Sequence, residues 1–195
     1  MDGLIRIPMF PLSIFPLPGE MVPLHIFEPR YRQLLEDAES KDISFGIFYN
    51  HTSNTEQLGS WVKLESVIKR YKTGESDIIV KCLDLFTMNK LFRTYKDKLY
   101  PGGDVIFWNV AGSTPMSDSL KQYFEQYHTW LKLTHSEKVI SRFDVANELS
   151  LGFEERLKFV QLSAEKQESF LVNQINYQIQ LMRQAENAKD IFHLN

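Results

Sequence analysis

Two regimes of hydrophobic patterning divide this chain. Up to about residue 110 the apolar residues come in short runs rich in Ile, Val and Phe, separated by glycine or proline, which predicts strands. Leu4–Phe10 begins the set and Ile43–Tyr49 has the continuous apolar run of a buried strand. Trp61–Tyr71 and Asp77–Phe86 flank Lys72–Ser76, a turn containing Gly74, and so predict a hairpin. Leu91–Tyr95 and Asp104–Val110 complete about six strands, the last preceded by Pro101-Gly102-Gly103. One helix interrupts them. Tyr31, Leu34, Leu35 and Ala38 recur at i, i+3, i+4 and i+7, with Pro29 suited to the first turn and Glu28 beside the positive helix end.

Beyond residue 112 the period lengthens to that of helices. Leu120, Phe124, Tyr127 and Leu131 form one apolar stripe, with Thr114-Pro115 as the expected cap and first residue. Ser141–Asp144 predicts a cap for a helix over Val145–Leu151 that ends at Gly152. Phe153–Leu162 is a third helix, and a long fourth follows Ser163 with Leu171, Ile175, Ile179 and Met182 on one face. Punctuation agrees with this division: eight of the nine glycines and seven of the eight prolines lie at or before 112. The expectation is an α+β chain with a β-barrel and one inserted helix over 1–112, then an α-helical bundle over 113–195, because barrel closure removes exposed strand edges.

Composition narrows the function more than the fold. At 195 residues and 43% hydrophobic, the chain can bury ~70% of its extended surface. A net charge of −3 gives no general attraction to nucleic acid or anionic lipid. No apolar run reaches membrane-spanning length, and Pro8, Pro11, Pro16 and Pro18 interrupt any signal-like stretch. Cys82 has no second cysteine to pair with, which points to a reducing compartment and a cytoplasmic location.

The most informative stretch is the first thirty residues. Six of the eight prolines fall by position 29, interleaved with Phe, Leu and Ile, in Pro8-Met9-Phe10-Pro11-Leu12, Phe15-Pro16-Leu17-Pro18-Gly19 and Pro23-Leu24-His25-Ile26-Phe27-Glu28-Pro29-Arg30-Tyr31. This closely resembles the opening of the Lon N-terminal (substrate-binding) domain family, in the standalone bacterial form without protease domains. Gly59-Ser60-Trp61-Val62 is similar to that family's glycine-led strand, and Val145–Leu149 with Glu165–Leu171 to its helical tail. The family's Gly-x-x-Arg-Phe pattern is replaced here by Lys81-Cys82-Leu83-Asp84-Leu85-Phe86. The resemblance implies a PUA-like barrel plus helices and a non-catalytic, proteolysis-associated role. It implies protein or peptide clients, with a separately encoded protease or chaperone as a further partner. The sequence contains no phosphate-binding G-x-x-x-x-G-K-[ST] loop and nothing similar to the family's serine–lysine site, so we expect no ATP turnover and no cleavage.

Candidate contact residues follow from the same stretch. The stiff loop from Phe15 to Met21 concentrates apolar side chains, which predicts a contact patch at Phe15, Leu17 and Met21, or else a cover over the barrel end. Beside it, His25, Glu28, Arg30 and Tyr31 are expected to border a groove for extended peptide, or else to fix the strand–helix junction. Ile26 and Phe27 are expected in the core.

Other chemistry is sparse. His25, His51, His128, His135 and His193 lack metal-ligand spacing, so no metal or cofactor is expected. A Ser136, His128 and Asp144 arrangement can be drawn, but no G-x-S-x-G elbow supports it, and no catalytic residues are assigned. The span from Lys63 to Lys98 carries nine Lys/Arg against five Asp/Glu, a local +4. It makes RNA binding through basic strands 63–98 the alternative to peptide recognition, with a solvated sheet face as the plainer account. Tyr123, Tyr127 and Trp130 read as helix packing rather than a base-stacking platform. Neither the clients nor the oligomeric state is legible.

Overall fold

The computed structural model of the chain describes residues 3–110, 116–132 and 141–192, the last six of these by backbone alone. The strands are β1 (Ile5–Pro11), β2 (Met21–Ile26), β3 (Phe45–Phe48), β4 (Leu58–Arg70), β5 (Ser76–Phe92) and β6 (Gly102–Phe107). The helices are α1 (Pro29–Lys41), α2 (Asp118–Leu131), α3 (Arg142–Glu148), α4 (Phe153–Gln161) and α5 (Ala164–Phe192). The α+β class is as the patterning predicts.

The sheet closes on itself. The strand order is β2-β5-β4-β3-β1-β6, and β6 also pairs with β5. Only β1 and β3 run parallel, with Met9 opposite Gly46. β5 makes the closure possible through its length. Its first half, Ser76–Lys81, pairs with β2, and its second half, Phe86–Phe92, pairs with β6. Shifts in register at Trp61/Val62, Leu64/Ser66 and Val67/Lys69 bend β4 along β5, the usual means of curving a sheet into a barrel.

Two strand assignments change. The six strands expected match the six observed in number, but β2 lies where the patterning assigns no strand, and Leu91–Tyr95 overlaps the end of β5 rather than forming a strand of its own. Pro23 hides β2, since proline in a strand argues against a central position. β2 is an edge strand, where the missing N–H costs no ladder bond.

Inside the barrel, β2 and β5 contribute alternate residues. Leu24 and Ile26 pack with Ile78, Val80 and Cys82 against Tyr31, Leu34 and Leu35 of α1. Phe27, expected in the core, is instead 55% exposed. The reason is the strand period of two: Ile26 points in, so its neighbour points out. A second apolar cluster holds Met9, Phe48, Phe86, Met88 and Val105. There a Cβ on Gly59 would lie 2.2 Å from the Phe86 ring, which accounts for the glycine that leads this strand.

The chain divides into two compact units. One combines the strands and α1 with Gly152–Leu157; the other is formed by Ser113–Leu151 and Lys158–Asn195. In the helical unit, Leu120, Phe124 and Tyr127 of α2 are buried, as are Leu171, Ile175 and Ile179 of α5. Leu131, from the same predicted stripe, is 38% exposed. α3 opens with a complete capping box between Ser141 and Asp144. α2 is capped by Ser117, whose side chain accepts from the Leu120 N–H; the expected Thr114-Pro115 start lies outside the described residues.

Candidate functional site

The proline loop between β1 and β2 is pinned to the barrel. Phe15 is 3% exposed and Leu17 is fully buried, so neither offers the apolar surface expected of it. The Pro16 carbonyl accepts from Ser60 Oγ at 2.6 Å and from Cys82 Sγ at 3.4 Å. Glu20 accepts from the Leu17 N–H at 2.9 Å, and Gly19 and Glu20 exchange backbone bonds with Cys82. The Phe15 ring meets Phe153 edge-on, and Phe153 also packs against Tyr49. Arg156 donates to the Phe15 carbonyl and forks onto both Glu20 oxygens at 2.5 and 3.0 Å. Sequence spacing does not reveal this, because the residues that cover the loop come from 136 positions further along the chain.

Met21 is where the chain turns outward. Along β2 the outward positions are Met21, Pro23 and His25, and Phe27 continues the alternation beyond the strand. Opposite them on β5 stand Lys81, Ile79 and Asp77, followed by exposed Leu83. β2 pairs only with β5, so its other side is a free strand edge among the described residues. Cys82 gives its N–H to Glu20 and receives that of Gly19. Continuing in steps of two, Val22, Leu24 and Ile26 face β5, and Met21, Pro23 and His25 turn their backbone groups to the free edge.

At the far end of this stripe a polar and aromatic cluster forms. His25 Nδ1 lies 2.6 Å from Asp77 Oδ1, and Tyr71 donates to Asp77 Oδ2 at 2.7 Å. Those two hydrogen bonds, His25 first, hold the Asp77 carboxyl below the usual range. The His25 ring stacks on Phe27 at 6.0 Å and meets Tyr71 edge-on, and the Lys69 ammonium sits 4.4 Å from the Tyr71 ring. Among the described residues no serine or cysteine is hydrogen-bonded to this imidazole.

The rim residues divide between surface and core. Glu28 and Arg30 pair with each other at 2.8 Å at the exposed start of α1. Arg32 donates to the Phe27 and Thr73 carbonyls and ties the helix start to the hairpin turn. Tyr31 is buried against Phe10 at 4.1 Å between ring centroids, and burial raises its hydroxyl pKa. It is a core residue rather than a groove wall.

The remaining candidates are engaged elsewhere. Along the basic strands Lys63 pairs with Asp42, Arg70 with Glu39 and Lys98 with Asp37, and Lys69 and Lys90 lie over aromatic rings. RNA binding through these strands is not supported. His128 is bound to Glu148 at 2.7 Å, Asp144 serves the α3 cap, and Ser136 lies outside the described residues. Tyr127 is buried and donates to Gln178, and Arg183 lies over Trp130. Cys82 is buried, and burial pushes its thiol pKa far up, which keeps it inert. No group of three metal-binding side chains occurs among the described residues, and none of their helices is long and apolar enough to cross a membrane.

The fold is thus a closed barrel with an exposed apolar stripe beside a free strand edge. The sequence pattern of the ATP-dependent protease La (LON) substrate-binding domain matches residues 6–191, and the chain belongs to that family. No curated protein matches the sequence. Among solved structures, it is similar to a Lon N-terminal domain protein from Xanthomonas campestris, with a TM-score of 0.63 and 22% identity over 81% of this chain and 90% of that one. It is also similar to the N-terminal domain of a Mycobacterium avium complex Lon protease, with a TM-score of 0.59 and 14% identity over 88% of this chain and 98% of that one. At these identities the likeness is one of fold. The family supplies the role: substrate recognition, the non-catalytic part of the protease.

Proposed function

We propose that this chain binds unfolded or extended protein segments along the outward face of β2, by apolar contact with a few orienting polar groups. One observation carries the reading. Met21, Pro23, His25 and Phe27 present every second residue of an extended chain outward, beside a free strand edge. An extended client repeats its side chains at the same two-residue spacing, so its apolar positions can meet the stripe in register, as a folded surface would not. Met21 and Phe27 supply apolar area, Ile79 and Leu83 widen it, and the Glu28–Arg30 pair forms a charged rim. The clients are proteins that expose apolar segments, and a protease or chaperone is the partner to which such a module would deliver them.

The test is a double substitution, Met21→Ser with Phe27→Ser, measured for stability and for capture of a permanently unfolded, reduced model protein. Both side chains are 55% exposed, so each change should alter unfolding free energy by no more than ~0.5 kcal/mol. Capture should fall at least ~10-fold and should vary little with salt, because the contacts are apolar. Undiminished capture by a stable variant would remove β2 as the site. The same experiment at Phe15 and Leu17 would not discriminate, since both are core residues whose loss unfolds the barrel.

A further inference from the structure

Away from β2, the barrel unit holds an open concavity of about 450 Å³, within the range of small-ligand sites. Its walls come from β1, β4, the end of α1 and the loop between β5 and β6. The titratable lining is one-sided: Arg6, Lys41, Lys96 and Lys98 face it with Asp37 as the only carboxylate. Even if Asp104, which binds Arg6 at 2.7 Å, is counted with the wall, four cations face two anions. Three of the seven uncharged residues of the wall are aromatic: half-buried Trp61 and Tyr95 and the buried Tyr100.

Asp37 explains why two of these cations, Lys41 and Lys98, are held in place. Its carboxylate is buried and takes hydrogen bonds from Lys41 at 2.5 Å, Lys98 at 3.1 Å and the Tyr100 hydroxyl at 2.7 Å. Each ammonium has three N–H donors, so both lysines retain donors for something else. Lys96 lies over the Tyr95 ring at 5.2 Å and has no carboxylate partner among the described residues. Tyr95 in turn stacks on Tyr100, with ring planes 19° apart. Such an arrangement places fixed positive charge next to flat apolar surface.

We propose that this concavity is a binding site for a small phosphorylated ring compound of mononucleotide size. The phosphate sits among Lys41, Lys96 and Lys98, whose ammonium groups act as point charges, and the ring lies against Trp61 and Tyr95. Asp37 is a positioning residue that holds two of the lysines at the wall. This site shares no residue with the β2 stripe, so it stands or falls independently of client recognition.

The probes are AMP, adenosine and inorganic phosphate, titrated into the full chain and followed by backbone amide NMR. AMP is expected to shift the amides of residues 95–100 and the Trp61 indole, with affinity falling as salt rises. Adenosine and phosphate should each bind at least ~10-fold more weakly, since each keeps only half of the contacts. Lys96→Gln, at an exposed position, should weaken AMP about tenfold with an unchanged spectrum elsewhere. Tyr95→Leu should weaken AMP and leave phosphate unaffected. Phosphate binding as tightly as AMP would overturn the ring contact. No shift at 95–100, or an AMP affinity untouched by Lys96→Gln, would overturn the site.

Discussion

Asp37 is the residue whose ionisation matters most to the barrel. Burial by itself would raise its pKa, but hydrogen bonds from Lys41, Lys98 and Tyr100 outweigh that effect and hold the carboxyl well below the usual range. A carboxyl with a depressed folded pKa contributes stability that is complete above its unfolded value and is lost as pH falls through the folded one. The wild-type chain should therefore lose stability progressively from about pH 5 downward. Asp37→Asn should cost ~2–4 kcal/mol at neutral pH, a range lowered because Lys41 is half exposed. It should also flatten the acid limb. Urea unfolding across pH 3 to 7 reads both effects, and parallel acid limbs in the two proteins would show that other carboxylates carry the dependence.

At the scale of elements, the proline loop and α4 depend on each other. Pro16 and Pro18 stiffen the loop, yet its position is set by Arg156 on Glu20 and by Phe153 on Phe15, all within one unit. Arg156→Ala leaves a mostly buried carboxylate without its fork and should destabilise by ~2–3 kcal/mol in denaturant titrations. A midpoint equal to wild type would mean the loop is held by Ser60 and Cys82 alone. The same contacts bear on a division at 112/113. We propose that residues 1–112 form the barrel but need 152–157 to cover the loop.

For the whole molecule, Cys82 reports on the barrel's integrity. It lies under Pro16 with its pKa raised by burial, so a thiol reagent reaches it only when the loop or the barrel opens. Labelling at neutral pH should be far slower than for a free thiol and should accelerate in Arg156→Ala if the loop opens separately. A native rate equal to that of the denatured chain would contradict the closed arrangement of loop and sheet.

Much of this architecture was legible in the chain because the deciding interactions are local. The i, i+3, i+4 pattern from Tyr31, the Pro29 start, the Ser141–Asp144 cap and the glycine-bearing turn before β5 each act over a few residues, and each element appears, α3 three residues earlier than the Val145–Leu151 expected because Ser141 itself is the cap. The proline-punctuated opening likewise sufficed to indicate the family. What escaped was set by pairing across the chain. β2, interrupted by Pro23, is given no strand by the patterning; its place at a sheet edge removes the need for an N–H, and that strand's phase turns Ile26 inward and Phe27 outward. Phe15 and Leu17 have the composition of a contact patch, and only residues from α4 and β5, far away in sequence, make them core. Local spacing dictates which elements form. Which face of each element meets water depends on partners that only the tertiary structure brings together.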